Sequence, residues 1–449
     1  MNFLRYFHII LLGFALSLSA LDSVQADDVE VKYLESIKAT QLQLANGMKV
    51  CLKPTDYETD EMFITLAAAG GYASLEKKDR SCCELAAQVA WESGLGDMSS
   101  DEVSVFLYEN SLEFCSKIYP FSRLIEGEGS VDGIEAFLRC VRMVFMQQRF
   151  DEAGWKTALL SAKRGLSTVI NDNDHVYEAA LLQFNAQQLV DLKQTNIDDI
   201  ENSNLSKTKE LFHRCFSDPS EFSCVIVGNF NKEAVLEIVK KYLGTIPRPE
   251  KSSQLNQPFV VEFPGGITNG SVKLGGKPGC VTRMTFPLQV DVSEQNLPEI
   301  AFVCQVIEAR LRRVITEKMA LSYGVDVSYE FPVYPLLNNP WISIHFRCDH
   351  KLKDSLKQII ITELGRLQVQ GVNDEEVANT RKLESSNLEF WLQDNSYWVS
   401  MLINYYLWGW NPEKIDNRKS LAEHPTAEAT NVLLKNIFSI TNYSSFTGY

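Results

Sequence analysis

The chain has 449 residues, 45% hydrophobic and 22% charged, long enough for two or more packed domains and too apolar for a mainly disordered protein. Its 43 Lys+Arg against 58 Asp+Glu leave a net charge of -15, which opposes binding to a nucleic-acid backbone or an anionic membrane surface. The six histidines, at 8, 175, 213, 345, 350 and 424, are spaced too widely to supply more than a few histidine-based metal or acid–base centres.

Residues 1–26 have the plan of a cleavable secretory signal: Arg5, an apolar run from Ile9 to Leu18, and small residues at Val24 and Ala26 before Asp27-Asp28. The alternative is an uncleaved anchor, but the run is shorter than the roughly 20 residues that span a bilayer, and no later segment has stop-transfer character. This predicts an exported protein, periplasmic or secreted, with no stable membrane span. The ten cysteines, at 51, 82, 83, 115, 140, 215, 224, 280, 304 and 348, contain no C-x-x-C pair, and several sit in apolar runs as small buried hydrophobes. Adjacent Cys82 and Cys83 are the pair open to bridging elsewhere.

Strand-like runs then alternate with helical patterns, the signature of an α+β fold. Asn46-Gly47 turns between two extended runs, and Met62 to Ala69 is an apolar strand. Helices are predicted near 82–92, 101–109, 131–147, 151–169 and 174–189. A strand at Phe222 to Val227 precedes a helix from Lys232 to Leu243. The Pro-, Ser-, Gln- and Asn-rich stretch 247–257 reads as a linker between a domain at 27–246 and one at 258–449. The second half repeats the scheme, with strands near 258–264, 281–287, 321–330 and 341–348, a helix near 293–316, and helices to the end. The Gly-rich stretch from Gly265 to Gly279 reads as hairpin turns. The helix, break and helix of Val131 to Gly165 recur in Leu352 to Leu388, at an offset of 223 residues that sets Phe150 against Asn373.

Three stretches resemble the insulinase/pitrilysin family of inverted-motif zinc peptidases: Leu44 to Val50, Val225 to Phe230 with its helix ending at Tyr242-Leu243-Gly244, and Ala309-Arg310-Leu311 followed by Glu317 to Val325. The resemblance covers the chain beyond residue 26. It implies two homologous domains, each a mostly antiparallel sheet backed by helices, forming half of a clamshell around a peptide chamber.

In that family H-x-x-E-H on the first long helix holds zinc through two histidines and activates water through the glutamate. Placing Ser93-Gly94 after the motif puts the ligand positions at Leu85 and Val89 and the base position at Gln88. Leu and Val have no lone pair to give and Gln no useful proton affinity, so no metal site is expected. Glu84 and Glu92 read as a solvated helix face, His345 and His350 as a strand and a loop histidine, and His175 as a helix-start residue. The resemblance further implies an Arg and a Tyr, spaced R-x6-Y, that non-catalytic halves lend to substrate binding. The Tyr stands as Tyr323, the Arg position is Thr316, and Arg312 and Arg313 are possible substitutes one turn earlier.

The expected protein is therefore non-catalytic, paired with a zinc-bearing homologue or with itself as a homodimer, and acting on a peptide substrate. A peptide-binding or structural scaffold without proteolytic role is the alternative.

Overall fold

The computed structural model describes residues 30–169, 172–185, 196–256, 263–275, 279–319, 324–330, 340–416 and 425–449. Residues 1–26, Tyr323 and most of the strand expected at 258–264 lie outside them.

The first sheet begins with β1 (Glu30–Leu34), β2 (Ala39–Gln43) and β3 (Lys49–Pro54). The Asn46-Gly47 hairpin joins β2 to β3, with Gly47 at φ +92, where a side chain would be strained. Strands β4 (Met62–Ala69), β5 (Cys115–Ile118), β6 (Ser122–Gly129) and β7 (Ser223–Gly228) complete it in the order β1-β2-β3-β7-β4-β6-β5. Helices α1 (Lys77–Ser93), α2 (Ser100–Glu109), α3 (Ile134–Met146), α4 (Glu152–Val169), α5 (Asn173–Asn185), α6 (Ile197–Glu201), α7 (Leu205–Cys215) and α8 (Lys232–Tyr242) fill the same half. A Ser99/Glu102 capping box starts α2. Helix α3 turns Phe137, Leu138, Val141 and Val144 into the core beneath the sheet.

The second sheet contains β8 (Ile267–Val272), β9 (Cys280–Pro287), β10 (Val325–Glu330), β11 (Trp341–Cys348) and β12 (Tyr443–Gly448), in the order β10-β11-β9-β12-β8. Its helices are α9 (Leu297–Met319), α10 (Lys353–Gln370), α11 (Asp374–Trp391), α12 (Asn395–Trp408) and α13 (Ala427–Asn436). Read from β8, the order β8-β12-β9-β11-β10 reproduces β3-β7-β4-β6-β5, and in each sheet only the first pair is parallel. The α3–α4–α5 series likewise recurs as α10–α11–α12. Duplication is thus written into topology as well as into the helix spacing.

Two expectations need correction. The Gly-rich region is not a set of hairpin turns, because Ile267–Val272 forms an edge strand parallel to β12. Nor do helices run to the end, since β12 lies inside the second sheet between β9 and β8. Its Tyr-Ser-Ser-Phe-Thr-Gly sequence is polar, yet Ser444, Ser445 and Thr447 are buried. Hydroxyls hide a buried strand from a hydrophobicity pattern.

The stretch 247–257 is docked where it is described. Leu255 enters the first core, and its carbonyl would lie 2.2 Å from a Cβ at residue 70, where Gly70 has φ +89. Ser253 donates through its backbone N–H and hydroxyl to Glu221. Buried Arg123 donates to Glu221, to Ser253 and to the carbonyls of Ala69, Gly70 and Cys215. A cation this deep persists because its donors are taken up by carbonyls and a carboxylate.

Each half also sends one helix across the other half's sheet. Helix α12 lies over β4 and β7, and α5 lies over β8 and β12. The segments that read as separate units in sequence therefore share two packed seams.

Candidate functional site

Helix α1 carries the positions at which the resemblance would put zinc ligands. It ends at Gly94, with φ +99 and the Met98 carbonyl 2.2 Å from where a Cβ would stand, so the glycine in the turn after α1 is a backbone requirement. One face of α1 places Cys82, Cys83 and Ala86 in the main core. The adjoining face turns Leu85 and Val89 into a separate apolar cluster with Trp155 and Ala158 of α4 and Ile200 of α6. Gln88 is half-buried and Glu84 exposed.

These side chains do not fit a zinc ion. Leu85 and Val89 offer only carbon, and their neighbours Trp155, Ala158 and Ile200 add no anionic or imidazole ligand. Among the described residues, no group of three or more His, Cys, Asp or Glu is placed to hold a metal. What the cluster does supply is apolar burial that pins α1 to α4.

Helix α9 carries the other site positions. Thr316 is exposed and its hydroxyl donates to the Arg312 carbonyl at 2.8 Å, turned back along its own helix. Arg312 pairs with Glu308 at 3.0 Å and Asp326 at 2.8 Å. Arg313 pairs with Glu376 at 3.0 Å. Both possible substitutes for the family Arg are thus held in ion pairs. Tyr323 lies outside the described residues.

Beside them is a partly buried charge network that sequence reading missed. Arg310 donates to Glu363 of α10 and to both carboxylate oxygens of Glu376 of α11. Burial pushes the Glu376 carboxyl up, but hydrogen bonds from Arg310 and from the Asn373 N–H outweigh it and hold it below the usual range. Nothing local in Glu308-Ala309-Arg310 marks this role, because its partners lie 53 and 66 residues away.

His345, half-buried on β11, has Nδ1 3.9 Å from Asp326, and burial followed by Arg283 and Arg347 lowers its pKa. His350 begins a short 3-10 turn beside the Tyr449 ring, and His175 stands in the first turn of α5. Elsewhere, an open cavity of about 610 Å³ lies at the end of the first sheet, lined by Glu58, Glu113, Glu128 and Tyr108 among others. It shares no residue with the α1 cluster.

Residues 184–383 match the family described as Peptidase M16 inactive domain. The chain is 25% identical over 398 residues to "Zinc protease PQQL-like" of Arabidopsis thaliana, covering 84% of this chain and 38% of the relative. It superposes on the periplasmic protease PqqL from Escherichia coli with a TM-score of 0.77 and 17% identity, over 95% of this chain and 46% of that one. It also superposes on a peptidase M16 inactive domain from Pseudomonas fluorescens with a TM-score of 0.74 and 12% identity, covering 94% of this chain and 97% of that one. The chain therefore spans less than half the length of the first curated relatives it matches.

Proposed function

The chain belongs to the insulinase/pitrilysin (M16) family as a member of the inactive type, and from that premise we propose that it is an exported, non-catalytic half of a peptide-degrading or peptide-processing chamber. A zinc-bearing homologue with H-x-x-E-H would supply the metal, while this chain would supply a wall and contact peptide through Tyr323. Residues 1–26 would direct export, and 27–246 and 258–449 would be the duplicated units joined by 247–257. The observation that carries the reading is the α1 face: Leu85 and Val89 are packed against Trp155, Ala158 and Ile200 where a catalytic member needs two imidazoles. A relative that is a periplasmic protease supports export.

The test is co-purification from the native source followed by peptidase assay. The purified chain should carry no stoichiometric zinc and cleave no peptide by itself. An H-x-x-E-H homologue should associate with it, and Tyr323→Phe should lower the activity of the pair. Chelator-sensitive proteolysis by the pure chain would overturn the proposal.

One observation favours the scaffold reading. Thr316 replaces the family Arg and spends its hydroxyl on its own helix, while Arg312 and Arg313 are ion-paired. A partner that keeps full activity with Tyr323→Phe would move the assignment to a peptide-binding or structural scaffold.

A further inference from the structure

Two pairs of cysteine sulfurs approach each other in the fold, and only one is set by a strand ladder. Cys280 opens β9 and Cys348 closes β11, and the antiparallel register makes them direct partners. Opposite residues on antiparallel strands have Cα atoms about 4.5–5.5 Å apart, within the range a disulfide requires. Their sulfurs lie 3.4 Å apart. Cys83 of α1 and Cys215 of α7 are 3.6 Å apart, but they lie on two packed helices where no ladder fixes the Cβ spacing.

We propose that Cys280 and Cys348 are a disulfide site, oxidised by a disulfide-bearing oxidant to staple β9 to β11. One thiolate attacks a sulfur of the oxidant's disulfide and releases half of it as thiolate. The second cysteine then displaces the other half from the mixed disulfide. The protein loses two electrons and two thiol protons, and the oxidant is reduced to two thiols. Both cysteines are only 6% exposed, so the exchange belongs to folding, before the sheet closes over them. Burial pushes the Cys348 thiol up to about 12 in the folded chain, which keeps the thiolate scarce once folding is complete.

The staple encloses the segment between two residues 68 positions apart. That segment carries all of α9 and β10, including Thr316, Arg312 and Arg313. Closing so long a loop restricts the unfolded chain and stabilises the second sheet. This goes beyond the peptidase-partner reading and does not depend on it.

The experiment refolds the full chain with glutathione disulfide, alkylates it without reduction, and maps peptides by mass spectrometry. The expected result is a cross-linked peptide joining Cys280 to Cys348 that disappears on reduction. Separate alkylation of both cysteines, or a cross-link from either to another cysteine, overturns the proposal. The oxidised protein should also melt about 5 °C above the reduced one, and Cys348→Ala should shrink that difference. An undiminished difference in Cys348→Ala would equally overturn it.

Discussion

Where α12 crosses the first sheet, Trp398, Leu402 and Tyr405 pack on Leu34, Cys51, Ala67 and Val225. Buried Lys53 reaches up from β3, its Nζ 3.8 Å from the Trp398 ring and 2.7 Å from the Ile37 carbonyl. Where α5 crosses the second sheet, a smaller apolar cluster of Tyr177, Leu181, Val281 and Phe446 is flanked by polar contacts. Asn185 donates to Thr285 and accepts from Ser444, and Tyr177 donates to the Phe446 carbonyl at 3.1 Å. Arg283 pairs with Glu178 and Arg347 with Asp174 at the rim. The two helices hold equivalent places in a duplicated chain order. A repeated backbone plan therefore fixes which helix crosses which sheet and leaves the chemistry of the crossing free to diverge.

The largest test of this contrast is Trp398→Ala. Emptying a buried indole site should cost about 3–5 kcal/mol in denaturant unfolding; a loss under about 1 kcal/mol would show that the α12 seam is not held by its aromatic face. Next is the pH dependence set by Lys53. Burial lowers its pKa to about 8, so the unfolded chain binds the extra proton between about pH 8 and the ordinary lysine value near 10.4. The contribution of this residue is unfavourable below pH 8 and is relieved as pH rises through that window, by about 3 kcal/mol. Lys53→Met should flatten the rise seen in stability curves at pH 8–10, and a wild-type curve with the same slope as the variant would refute the assignment.

The polar contacts of the α5 seam should respond less. Asn185→Ala leaves Ser444 and Thr285 without their shared amide and should cost about 1–3 kcal/mol, read by thermal unfolding. Arg347→Ala removes an exposed pair and should cost under about 1 kcal/mol. Its effect should vanish in high salt, and a larger, salt-independent loss would mean that the rim of the α5 seam is more than a screened ion pair.

Legibility followed the same divide. Met62–Ala69 was readable as an apolar run, and Trp341–Cys348 as an alternation of apolar residues with Ser343, His345 and Arg347. The Asn46-Gly47 hairpin and the acidic starts of α4 and α11 were local signals too. Strand β12 was not readable, because Ser444 and Thr447 are buried only by partners supplied from Asn185 and Thr282, 259 and 165 residues away. Strands β5 and β6, with Lys117, Arg123 and Glu126 in them, were masked by charge for the same reason. At the site, the absence of histidine from α1 was plain from residue identity, whereas the pairing of Arg312 with Asp326 and of Arg313 with Glu376 was not.

By itself, then, the sequence settled the composition of the α1 face, the α+β alternation and the duplication, since these depend on side-chain identity and short-range periodicity. Tertiary structure decided that Leu85 and Val89 meet Trp155, that α5 and α12 are exchanged between the sheets, and that Cys280 faces Cys348. Those are contacts between residues far apart in the chain, and only the closed sheets and packed helices bring them within reach.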